Sequence, residues 1–95
     1  MTTPTSTETI LQERGNRYGT FVDNASTSQS LKRVMAQHLA KHNKELADDQ
    51  WEAMEMIAHK LARIINGDPD YHDNWADIAG YAKLVADRLE TGKEA

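Results

Sequence analysis

Cysteine is absent from the 95 residues, which removes disulfides, thiolate metal sites and cysteine nucleophiles together and fits a reducing compartment. Basic charge is also short: 11 Lys and Arg stand against 15 Asp and Glu, for a net charge of -4 and a pI near 5.5. Non-specific binding to nucleic acid is therefore not expected, because it needs a basic face to neutralise phosphates. No apolar run approaches the length that crosses a bilayer, so no membrane association is expected. MTTPTSTET at the start has neither a basic head nor an apolar stretch and does not read as a targeting peptide. Together these absences predict a cytoplasmic protein. Apolar residues make up 39% of the chain and the mean hydropathy is -0.72, a lean core for one small domain. Self-association would supply what is missing.

Alternating apolar and polar residues, the mark of a half-buried strand, are missing as well, and the periodicity that is present is helical. The expected fold is all-α, with about four helices in a small bundle completed by oligomerisation. Residues 1–6 and 92–95 are expected to be flexible tails around one domain at 7–91. A first helix starts near Thr7, with capping-box spacing from Thr5 to Glu8, and is weakened by Gly15 and Gly19. A second is predicted from a cap at Ser26, Thr27 or Ser28 to about Lys41, with Phe21 and Val22 in a separate turn. The third follows an Asp49–Glu52 capping pattern and turns Trp51, Met54, Ala58, Leu61 and Ile65 inward. Gly67 and Pro69 end it. The fourth begins between Asp70 and Asp73, with Trp75, Ile78, Ala82, Val85 and Leu89 on its apolar face. Both tryptophans read as core.

Acidic side chains flank these last two apolar stripes at helical spacing. Glu52 and Glu55 form Glu-x-x-Glu, and Asn74 and Asp77 form Asn-x-x-Asp. Glu52, His59 and Arg63 share a strip beside the core face, and Asn74, Asp77, Tyr81 and Arg88 share a flank of the next helix. Magnesium takes oxygen ligands, usually one or two carboxylates with substrate phosphates and water. Glu52, Glu55 and Asp77 could supply that shell, with Asn74 or Asp73 as an auxiliary ligand. Lys60, Arg63 and Lys83 could meet phosphate oxygens, and Tyr18, Arg17 and Tyr81 are further candidate ligand contacts. The same carboxylates also suit a solvated helix edge paired with lysine and arginine. His38 and His42, at i and i+4, have the spacing of a metal pair but lack a strong third ligand.

Two segments carry a resemblance. Glu13 to Phe21 reads E-R-G-x-R-Y-G-x-F, and Gly67 to Ala82 reads G-D-P-x-Y-x-D-x-W-x-D-I-A-G-Y-A. Both resemble a family of small proteins of tailed-phage and prophage genomes that carries no established activity. More distantly, the plan resembles the all-α nucleotide pyrophosphohydrolase superfamily that includes MazG and dimeric dUTPases. Its members bind Mg²⁺ through Glu-x-x-Glu on one helix and Glu-x-x-Asp on a later one. By position the resemblance implies Glu52, Glu55 and Asp77 as ligands, with Asn74 in place of the remaining Glu and Asp73 beside it. It implies a phage-type, Mg²⁺-dependent nucleotide-binding homo-oligomer that splits a nucleoside triphosphate into monophosphate and pyrophosphate. The alternatives are a nucleotide sponge without chemistry, or a small acidic protein that modulates a host protein partner.

Overall fold

A computed structural model describes residues 6–92. Over them the chain forms α1 (Ser6–Tyr18), α2 (Phe21–Lys41), α3 (Asp48–Asn66) and α4 (His72–Thr91), with no strand among the described residues. The fold is an all-α small bundle. The expected tails lie almost wholly outside the described residues, as does Thr5 of the expected capping box.

Local chemistry moves several boundaries. Gly15 stays inside α1, because a single helical glycine costs only about 1 kcal/mol and the helix end is held elsewhere. The Gly19 N–H bonds the Gly15 carbonyl at 2.9 Å, and the Asn24 amide reaches back to the Tyr18 carbonyl at 2.6 Å. Gly19 makes the break, at φ +83°. Thr20 then caps α2 by accepting from the Asp23 N–H at 3.2 Å, so α2 starts at Phe21 and not after Ser26–Ser28. At the start of α3, the Gln50 side chain accepts the Ala47 N–H at 2.9 Å. This sets the cap two residues before the Asp49–Glu52 pattern.

α3 is the spine. α2 and α4 pack on its two sides, and α1 touches it near its C-terminal end. The buried apolar residues among those described are all alanines of α3, Ala53, Ala58 and Ala62. Ala58 and Ala62 lie on the side of α3 that carries Glu55, which faces Lys32 of α2. One turn before Lys32, Ser28 is buried at 2% exposure. Small side chains on both helices let the two axes come close. Ala53 lies on the other side, against Val85 of α4.

The result is elongated, with extents of 58 × 29 × 21 Å and a radius of gyration of 16.5 Å. A compact chain of this length would have a radius near about 12 Å. Large apolar side chains are correspondingly poorly covered. Trp75, read as core from the sequence, is 52% exposed, and Ile65 is 66% exposed. The Trp75 indole N–H donates to the Pro69 carbonyl at 2.8 Å, so this ring braces the α3–α4 turn. Trp51 is partly covered, in the groove between α2 and α3.

If close approach at the alanines holds the layer together, Ala62→Leu should destabilise the protein by about 1–3 kcal/mol through overpacking. Urea denaturation followed by circular dichroism measures this, and an unchanged midpoint would refute the assignment.

Candidate functional site

Glu52 is exposed on the wall shared by two recesses. One is a 270 Å³ pocket between α3 and α4, walled by Ala53, Tyr81, Leu84 and Val85 and rimmed by Asp49 and Arg88. The other is the groove between α2 and α3, where Glu52 and Glu55 lie beside Lys32 and Trp51. Glu55 meets the Lys32 ammonium at 3.7 Å, with its carboxylate side chain 42% exposed. That is a weak, releasable pair. Arg88 clamps Asp49 through two bonds of 2.6 and 2.8 Å. The Arg88 hydrogen bond holds the Asp49 carboxyl below its ordinary value, so the clamp persists above the usual carboxylate range and is lost as pH falls through the lowered value.

His59 occupies the same strip of α3. Its Nε2 lies 3.2 Å from the Lys32 ammonium and, in the neutral ring, accepts from it. Partial burial, followed by the charges of Lys32, Arg63 and Lys60, lowers its pKa against an opposing pull from Glu55. His59 is therefore neutral near pH 7 and suited to accept a hydrogen bond.

The remaining expected ligands are dispersed. Asp77 bonds the Lys60 ammonium at 3.0 Å. Asp73 accepts from the Tyr71 hydroxyl at 3.1 Å, and that bond pushes the Tyr71 phenol upward. Asn74 is buried at 1% exposure, with its amide nitrogen unpartnered. Among the described residues no three His, Asp or Glu side chains gather as a metal site, and this includes the stacked pair His38 and His42. Glu52 and Glu55 still meet the smaller requirement of one or two carboxylates, completed by substrate phosphates and water. Lys83 pairs with Asp87 at 3.0 Å on an exposed flank, while Tyr81 lines the α3–α4 pocket.

A second cluster forms where the two distinctive sequence segments meet. The Tyr18 and Tyr71 rings lie 5.6 Å apart. Arg63 stands 4.6 Å and Arg14 5.9 Å from the Tyr18 ring, and Arg17 stands 5.3 Å from Tyr71. The Arg17 carbonyl accepts the Asp68 N–H at 2.8 Å. A Cβ on Gly19 would come within 2.6 Å of the Asn66 carbonyl oxygen, and one on Gly67 would overlap the Arg17 carbonyl. Both glycines are therefore needed for the backbones to touch. Asn66 ties the end of α3 to α2 through Thr27 at 2.9 Å. Arg17, Tyr18 and Arg63 are thus brought together, and eleven residues separate Arg63 from Glu52, roughly 16 Å of helix.

Sequence reasoning missed Arg14, Lys32, Asn66 and the Asp49–Arg88 clamp. The paired glycines flanking Arg17 and Tyr18, and Gly67 before the second tyrosine, were the available signal for the junction. Nothing in the pattern pairs residues 39 apart, as in the clamp.

In an NMR pH titration, the His59 ring should protonate below the ordinary histidine value near 6.5, and Lys32→Met should raise its midpoint. The unfolded chain takes up this proton first, so the associated stability loss begins as pH falls below about 6.5 and grows until the lowered folded value is passed. A midpoint unmoved by Lys32→Met would refute the contact.

No curated protein and no solved structure matches the chain. A family model described as Domain of unknown function (DUF6378) matches residues 3–89, which takes in both segments of the junction and both acidic helices, and the chain belongs to that family.

Proposed function

We propose that this protein binds a nucleotide together with Mg²⁺ in the α3–α4 pocket and the adjoining groove. The observation that carries this reading is the position of Glu52. It stands at the mouth of an apolar pocket that holds Tyr81, and beside Glu55 and Lys32. The pocket suits a base, with Tyr81 as a stacking surface and the Asp49–Arg88 rim as hydrogen-bonding groups. The phosphates would then run over Glu52 toward Lys32, whose ammonium donates to neutral His59 at 3.2 Å. Mg²⁺, when bound, would neutralise phosphate charge. Binding is better supported than hydrolysis, because Lys60 engages Asp77 and one chain offers two neighbouring carboxylates. Pyrophosphohydrolase activity of the MazG type and a phage-type role in the cytoplasm belong to this proposal, and a nucleotide sponge without chemistry is the alternative use of the same site.

The exposed apolar side chains favour self-association. Nine large ones are exposed among the described residues, including Val34, Ile65 and Leu84 at 52% or more, and the radius of gyration exceeds that of a compact chain of this length. A second copy would cover apolar surface that the single chain leaves open. The same surface supports a second reading, an interaction protein acting on a host factor.

Titration with Mn²⁺, with and without nucleoside triphosphates, should selectively broaden the amides around Glu52 and Glu55, more strongly with nucleotide present. Glu52→Ala with Glu55→Ala should remove the effect. Diffuse broadening over all acidic residues would sink the proposal. Sedimentation equilibrium should show a species heavier than the 10.7 kDa chain, and a pure monomer at high concentration would rule out self-association.

A further inference from the structure

We propose that the junction of α1, α2 and α3 is a separate binding site for the phosphate group of a small phosphate monoester. Arg14 and Arg63 approach one ring, Tyr18, from different helices, and Arg17 lies over the neighbouring Tyr71. None of the three guanidiniums has a carboxylate partner among the described residues. This is no shortage of acid: the chain is acidic overall, and Lys32, Lys60, Lys83 and Arg88 each hold a carboxylate. An aromatic face attracts a guanidinium's charge but accepts few of its in-plane N–H donors, which remain for a ligand. Their planar fork matches phosphate oxygens.

The start of α2 adds backbone donors. Thr20 takes the Asp23 N–H, and the N–H groups of Phe21 and Val22 precede it at the positive end of a 21-residue helix. Thr20 and Phe21 line one 440 Å³ pocket with Arg14, Tyr18, Arg63 and Leu11. The walls are already set. Asn24 holds the Tyr18 carbonyl, Asp68 holds the Arg17 carbonyl, and Gly19 lies against Asn66. Leu11 and Phe21, 64% and 85% exposed, form an apolar side that would take the ester's organic part. Two converging arginines beside a helix start therefore recognise the anion, and the apolar side distinguishes an ester from free phosphate.

The test uses the full chain, ¹⁵N-labelled, with EDTA present and ionic strength held constant with chloride. Inorganic phosphate and then phenyl phosphate are titrated in. Saturable shifts are expected at Gly19, Phe21, Val22 and Asn24, with phenyl phosphate binding more tightly. Arg14→Gln and Arg63→Gln should each weaken binding about tenfold. Arg14 is exposed on α1, so its variant keeps the fold, and unchanged α3 and α4 amides would verify this. Shifts no larger than those with chloride, or undiminished affinity in Arg14→Gln, would overturn the proposal. So would tighter binding of a single-stranded DNA oligomer than of phenyl phosphate. The nucleotide reading fails or stands separately, on Mn²⁺ broadening at Glu52 and Glu55.

Discussion

The close approach of α2 and α4 to the small side chains of α3 governs everything else in this structure. Ala58 and Ala62 with Ser28 opposite on α2, and Ala53 on the α4 side, bring the backbones near enough for polar side chains to reach across. Apolar burial is correspondingly small, since an alanine has little surface to remove from water. Much of the alignment falls to discrete polar tethers. These are Asn66 to Thr27, Lys60 to Asp77 and Arg88 to Asp49, each between residues far apart in the chain.

This use of charge explains why the acidic pattern and the acidic site differ. A carboxylate at helical spacing on a core margin can face a metal or a lysine, and the choice depends on the neighbouring helix. α4 brings Asp77 to Lys60, whereas Glu52, between the α2 and α4 sides of the spine, keeps an exposed position at the mouth of a pocket. His59 records the same local balance. Partial burial, and then the lysines and arginine around it, outweigh Glu55 and keep it neutral in a chain of net negative charge.

The glycines have a different part. Gly19 and Gly67 remove the side chains that would keep the end of α1 away from the end of α3. That contact brings two tyrosines together, and the arginines beside them share their rings. A basic, aromatic junction thus stands at one end of α3 and an acidic strip nearer the other, on one short helix.

Helical class, the break at Gly67 and Pro69, and the grouping of Glu52 with His59 and Arg63 on one strip were legible in the sequence, because each follows from periodicity within a single helix. The start of α2 was misread, since Thr20 and the serines after it are all good caps and only the positive φ of Gly19 selects among them. Trp75 was misread because an apolar stripe shows which face is apolar and not whether a neighbour covers it. Sequence alone thus determined the helices and their faces, through short-range backbone and side-chain periodicity. Tertiary structure decided which charges pair, which apolar residues stay open, and that Arg14, Tyr18 and Arg63 meet, because those outcomes depend on contacts between residues that local pattern does not couple.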